Sequence, residues 1–227
     1  SSDEGIPGAA CGPHVVPCVR LFAETVQVDV GRYGIVQWEE VRAPALSLAF
    51  DYAGHRKVLS NDDDQVLCIR GGEVLRRDRQ IEAHARYVLE SLGALDVACA
   101  EHVELPATSQ ADYVARVEDD VHGKCSFSAY ALPQLRSLGW RIDVAPDYPW
   151  QVVDGASPWY ASLEPDEDAN WFDFELGVEV DGERMDLLPA LLEVLDGAGS
   201  LEATLKRRRL VAIGAGENRY ITLDPKR

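Results

Sequence analysis

Residues Trp171 to Leu195 read WFDFELGVEVDGERMDLLPALLEVL. From Phe172 to Val180 the apolar residues Phe172, Phe174, Leu176, Val178 and Val180 alternate with Asp173, Glu175, Gly177 and Glu179, the period of a strand with one buried and one solvated face. Asp181-Gly182 supplies the left-handed corner of a tight hairpin, so Glu183 to Met185 is expected to fold back as a partner strand. A helix is expected next. Asp186 can cap it, Pro189 is tolerated in its first turn, and Leu187, Leu188, Leu191, Leu192 and Leu195 recur at helical spacing before Gly197. A hairpin backed by a leucine-faced helix is scaffold, and it sets the expected fold class: α+β, with mainly antiparallel sheets and hairpins and several amphipathic helices packed on a sheet face.

Downstream, Leu210 to Ile213 and Tyr220 to Leu223 bracket Gly214-Ala215-Gly216-Glu217-Asn218, which reads as strand, turn, strand. The IGAG string does not open a helix and lacks a third glycine, so it is not a dinucleotide loop. Between the two units, Ser200 to Arg209 is a short helix or turn that carries Lys206, Arg207, Arg208 and Arg209, the densest positive run of the chain. Upstream, Pro158 to Leu163 reads as a strand leading into the acidic turn Glu164 to Asp168, and Trp140 to Val144 as another. The proline-rich region between them presents Tyr148, Trp150, Trp159 and Tyr160, candidates for an aromatic surface that stacks on bases or sugars; filling a core is the competing use.

Further back, Phe127 to Leu138 has helical spacing with Pro133 inside it, so the helix either begins near Leu132 or is kinked. Ser109 to Val121 is expected to be a helix with Tyr113, Val114 and Val117 inward. Ala94 to Pro106 carries few signals. Arg76 to Leu92 is expected as an amphipathic helix with Ile81, Ala85, Val88, Leu89 and Leu92 on its apolar stripe, His84 at the core edge and Arg76, Arg77 and Arg79 as a small basic cluster near its start. Leu132 to Leu138 and Leu188 to Leu195 complete the expected helices. Val15 to Val30 reads as a long strand, Ile35 to Val41 as a short one and Ala45 to Tyr52 as a third; Val58 to Leu59 and Val66 to Ile69 flank the acidic turn Asn61 to Asp64. Residues 1–13 read as a flexible lead-in and 14–227 as one α+β domain, or two packed lobes with a boundary near 100–125.

Three stretches resemble a known family. WFDFELGVEVDGERMDLLPALLEVL, the tail RRRLVAIGAGENRYITLDPKR from Arg207 to Arg227, and LPQLRSLGWRIDV from Leu132 to Val144 are similar to segments found upstream of the motor in large bacterial Swi/Snf-type helicase-like ATPases. The resemblance implies a non-catalytic N-terminal accessory module that positions the motor or contacts partners. Its implied partners are the ATPase motor of the same polypeptide and, through the full-length protein, DNA or RNA. No cofactor is implied for this part.

The net charge of -17 opposes broad contact with a nucleic-acid backbone, which rests on Lys and Arg neutralising phosphates. Local contact falls to Arg76, Arg77, Arg79 and Lys206 to Arg209, as nucleic-acid or partner contacts. No long apolar run or signal peptide is evident, so a cytoplasmic protein with no membrane contact is expected. The chain opens on Ser1 and its only methionine is Met185, as in a processed chain or a piece of a longer one. Cys11, Cys18, Cys68, Cys99 and Cys125 are irregularly spaced and read as reduced, mostly buried thiols.

No catalytic residue and no metal site is assigned. Gly-Lys-Ser and Gly-Lys-Thr are both missing, which excludes a phosphate loop in these residues. Asp166-Glu167-Asp168 lacks the buried strand an acidic helicase box terminates, and Cys11, His14 and Cys18 lack a fourth zinc ligand. Asp62 to Asp64 reads as a solvated loop and not as a cation site. His14, His55, His84, His102 and His122 lie on different elements, so no triad follows from their order. The rival reading is a stand-alone enzyme or small-ligand binder using the Trp150 and Trp159 region as an aromatic pocket.

Overall fold

The computed structural model describes residues 15–31, 35–52, 54, 56–59, 66–68, 74–115, 121–153, 159–165, 172–180, 182–189, 191–192, 210–215 and 217–223. Its spine is the pair β1 (Val15–Asp29) and β2 (Trp38–Tyr52), antiparallel from Val15 opposite Tyr52 to Asp29 opposite Trp38. The two short strands expected over Ile35–Val41 and Ala45–Tyr52 are thus largely one, and Pro44, opposite Ala23, does not interrupt it. Period-two alternation gives the pair two unlike faces. One carries Val19, Leu21, Leu46, Leu48, Phe50 and Tyr52, all buried in the main core. The other carries Cys18, Arg20, Phe22 and Glu24 opposite Ala49, Ser47, Ala45 and Ala43.

β3 (Arg56–Leu59) pairs with the end of β2, and β4 (Val66–Cys68) and β5 (Val74–Arg76) form a separate hairpin. Helix α1 runs Arg79–Ser91, three residues shorter at its start than the expected Arg76, because Asp78 caps it: its Oδ1 accepts the amides of Gln80 and Ile81, both at 3.1 Å. Gly93, at φ 103°, takes the left-handed turn after the helix. His84 on this helix is exposed and not at the core edge.

The chain then adds β6 (Ala94–Asp96), β7 (Val103–Glu104) and β8 (Tyr113–Ala115), giving a seven-stranded sheet ordered β6-β8-β2-β1-β7 with β3 beside β2 and a later strand beside β1. Over the described residues 109–115 the expected helix of Ser109 to Val121 gives way to a strand, while Val117 and the rest of 116–120 lie outside the described residues. Tyr113, Val114 and Ala115 are consecutively buried and pair with β2 on one side and β6 on the other, a strand covered on both faces.

α2 (Val121–Ser126), a π turn (Phe127–Ala131) and α3 (Leu132–Ser137) follow one another without a break. Proline supplies no amide and its ring crowds the carbonyl four residues back. The wider turn, in which the Leu132 amide reaches the Phe127 carbonyl five residues back, lets the rod pass Pro133. An α-helical segment does begin at Leu132, as expected, but it continues the rod that starts at Val121. With α1 this rod covers the main core through Ala85, Leu89, Phe127, Ala131, Leu132 and Leu135.

β9 (Arg141–Val144) then pairs parallel to β1, Cys18 opposite Arg141. β10 (Gln151–Val152) pairs parallel with β15 (Arg219–Leu223), whose antiparallel partner is β14 (Val211–Gly214). β11 (Trp159–Pro165), β12 (Phe172–Val180) and β13 (Glu183–Asp186) form an antiparallel sheet, with Gly182 at φ 83° in the expected corner. After it, Asp186 accepts the Leu188 amide at 3.0 Å and the Leu191 amide bonds the Leu187 carbonyl at 2.9 Å. This is one helical turn over the described residues, so the class is a strand-dominated mix of α and β, and the several packed helices expected reduce among the described residues to α1 and the α2–α3 rod.

β14 faces two cores. Leu210 and Ala212 join the main core, while Val211, Ile213 and Ala215 pack with Val178, Leu187 and Ile221 in a second. Among the described residues no helix is long and apolar enough to cross a membrane.

Candidate functional site

The aromatic candidates divide. Tyr148 is fully buried and Trp150 nearly so. Their rings meet edge to face at 5.6 Å and 81°, the Tyr148 hydroxyl lies 3.2 Å from Ser128 Oγ, and Lys124 Nζ sits 5.3 Å over Trp150. Burial pushes the Tyr148 hydroxyl well above its ordinary pKa. As surface residues these two are therefore corrected: their area is spent in the main core, where edge-to-face pairing is favoured. Trp159 and Tyr160 sit on β11. Tyr160 is half-buried, lies over the backbone of Gly177 and stacks beneath Arg184 at 5.0 Å, so an aromatic fills the gap a strand glycine leaves. Trp159 is 47 % exposed.

Cross-strand register extends that exposure. Trp159 faces Val178, Ala161 faces Leu176 and Leu163 faces Phe174, all on one side of the sheet. Leu163 is 62 % and Phe174 46 % exposed, while Val178 is buried against β14. The apolar face read from the sequence is therefore buried at one end only, and its other end is bare.

The basic candidates also part company. Arg76 is exposed on β5. Arg77 is withdrawn from solvent: its Nε and Nη2 donate to Glu82 Oε1 and Oε2 at 2.8 and 2.9 Å, and Arg79 Nη1 reaches Oε2 at 3.3 Å. The Tyr52 hydroxyl donates to the same carboxylate at 2.5 Å and accepts the Asp78 amide at 2.9 Å. Burial alone would raise the Glu82 carboxyl, but the hydrogen bonds from Arg77 and Tyr52 outweigh it and hold it below its ordinary range. Burial and the Glu82 contact push Tyr52 up to about 12. Arg77 as a phosphate contact is thus corrected, since a guanidinium given bidentate to a buried carboxylate is already committed. Lys206, Arg207, Arg208 and Arg209 lie outside the described residues, as do Asn61 to Asp64, Asp166 to Asp168, His14, His55 and Cys11.

Cys18 is buried on β1 with its thiol toward the Val16 carbonyl at 3.5 Å, Cys125 is buried and pushed up to about 12, and Cys99 is exposed, against the expectation of burial. His122 Nδ1 accepts the Ala212 amide at 2.9 Å, fastening the helical rod to β14. Among the described residues no three His, Cys, Asp or Glu side chains converge as a metal site.

Two concavities were not foreseen. A cleft of about 470 Å³ is lined by Arg86, Asp96, Asp112 and Tyr113. Burial raises the Asp112 carboxyl although the Leu48 amide donates to it at 2.7 Å, a bond that ties the 112–115 strand segment to β2. The larger, a trough of about 520 Å³, lies on the second face of the β1–β2 pair, with Arg20, Phe22 and Glu24 along β1 and Ser47 and Ala49 on its floor. Its signal in the sequence is the alternation Ala43, Ala45, Ser47, Ala49 in β2, side chains too short to fill a sheet face. Both volumes fall in the range of small-ligand sites. Comparison with protein-family models, with curated proteins and with solved structures gives no match for the chain.

Proposed function

We propose that the chain is a non-catalytic accessory module of a bacterial Swi/Snf-type helicase-like ATPase, which positions the motor or contacts its partners. The reading rests on the resemblance of the stretches at 132–144, 171–195 and 207–227. The observation that supports it beside the resemblance is the exposed apolar side chains on one face of β11–β12. Trp159, Leu163 and Phe174 stay 47 %, 62 % and 46 % exposed within one register, on a sheet otherwise anchored to a packed core through Val178. Exposed apolar side chains sharing one sheet face suit a contact surface. The buried thiols and tyrosines, and the Arg77–Glu82 pair, do structural work in this reading.

Nucleic-acid contact by the chain itself is the weaker reading, because Arg77 is consumed internally and the net charge is -17. The test is the reading frame beyond Arg227 together with an ATPase assay. A motor encoded downstream and no hydrolysis by the isolated chain are the expected results; ATP turnover by the isolated chain above background overturns the proposal. A gel-shift titration against salt decides the weaker reading, which falls if nothing binds at low ionic strength.

A further inference from the structure

The trough on the β1–β2 face has a charge pattern that the accessory role does not use. Arg20, Phe22 and Glu24 alternate along β1, so their side chains share one face. Arg20 and Glu24 are four positions apart, about 13 Å at the rise of a strand. β9 runs parallel to β1 and stops beside it, the Ala145 amide bonding the Leu21 carbonyl at 2.8 Å. The turn that follows brings Asp147 into the lining of the trough. Arg20 therefore puts a guanidinium toward one end of the trough and Glu24 a carboxylate toward the other. Between them the floor is Phe22, Ser47 and Ala49, and Thr108 and Gln110 offer a hydroxyl and an amide from the side.

Arg20 is available to a ligand. Its partner is Asp143 at 3.7 Å, with both side chains more than half exposed (54 % and 73 %), and such pairs hold with little free energy. A phosphate-bearing ligand would meet two carboxylates for one guanidinium, and a wholly apolar one would strip water from three charged groups without replacing it. A molecule with an ammonium group, an apolar middle and a carboxylate spaced by about 13 Å satisfies every wall. An extended peptide of about four residues has that span.

We propose that this trough binds a short extended peptide with free ends, its ammonium group at Glu24 and its carboxylate at Arg20. The hydroxyl and amide of Thr108 and Gln110 serve the peptide's backbone, and the shallow floor of Ser47 and Ala49 gives an apolar side chain room against Phe22. The proposal is independent of the accessory role.

The test is calorimetric titration of the whole chain, at low salt, with the tetrapeptide Ala-Leu-Ala-Ala and with its N-acetylated and C-amidated forms. The free peptide is expected to bind in the millimolar range or tighter, and blocking either end to weaken it about tenfold. Glu24→Gln should weaken the free peptide and leave the acetylated one unchanged, while Arg20→Gln should erase the difference between free and amidated peptide. Arg20 is exposed and Glu24 is half-exposed on β1, so both variants are expected to fold, and matching near-ultraviolet circular dichroism verifies it. No binding at about 10 mM peptide, an affinity weaker than any specific site of this size, overturns the proposal. So does equal binding of free and blocked peptides, or a loss in Glu24→Gln that is the same for the free and acetylated forms.

Discussion

Replacing Glu82 by alanine removes the acceptor that Arg77, Arg79 and Tyr52 share. The carboxylate and the Arg77 side chain are both at 0 % exposure, so the guanidinium left behind loses its bidentate acceptor without gaining water. Breaking such a pair from one side costs about 3–5 kcal/mol, a large share of the roughly 5–15 kcal/mol that holds a domain folded. Urea unfolding followed by circular dichroism should show the midpoint falling with the slope unchanged. The double variant Arg77→Met, Glu82→Leu removes the stranded charge and should recover most of the loss, because apolar side chains of similar volume replace a buried pair at little cost. The pH dependence has a fixed sign. Glu82 is held below its ordinary value, so its contribution is complete above the unfolded carboxyl's pKa and is lost as pH falls through the lowered one. Tyr52 is raised to about 12, so its contribution is complete below the ordinary tyrosine value and is lost as pH climbs through about 12. A Glu82→Ala loss under about 1 kcal/mol, the scale of an exposed pair, or a double variant as unstable as the single one, would refute the account of this network.

Three further outcomes follow from the packing. His122→Ala leaves the Ala212 amide, in a residue only 4 % exposed, without its acceptor; urea unfolding should show a loss of about 1–3 kcal/mol, and an unchanged midpoint would remove His122 as a fastener. Gly177→Ala drives a methyl into the Met185 carbonyl oxygen and the Tyr160 ring, and should lower the melting temperature by an overpacking cost of about 1–3 kcal/mol or more; an unchanged melting temperature would contradict the closeness of that approach. In mass-spectrometric alkylation of the native chain Cys99 should react and Cys18 and Cys125 should stay protected until denaturant is added; rapid labelling of Cys125 would contradict its burial and raised pKa.

Local sequence was most informative where one rule acted alone. The alternation in Phe172–Val180 and the Asp181-Gly182 corner gave a hairpin in the expected register, and the strands Val211–Gly214 and Arg219–Leu223 lie where the glycine-rich turn separates two apolar runs. It was least informative where tertiary pairing decides. Tyr113 to Ala115 have no period of their own and become a strand because β2 and β6 lie on either side. Pro133 signals trouble for a helix but not the wider turn that resolves it. Arg77 looks like a neighbour of Arg76 and Arg79 until Glu82, five residues on, and Tyr52, from β2, claim it. The trough is harder still, since Asp147 comes to line it beside β1 only because β9 pairs parallel with that strand, which no short-range pattern announces.

β14 is a party wall. Leu210 and Ala212 are lodged in one hydrophobic mass and Val211 and Ile213 in the other, so stripping either mass away bares one side of the strand and frays the amide clasp to His122. Neither side can then melt as a separate unit. Calorimetry should record one transition, and a cut in the chain just ahead of Leu210 should lower the resistance of the large sheet to unfolding even though most of that sheet was built before the cut.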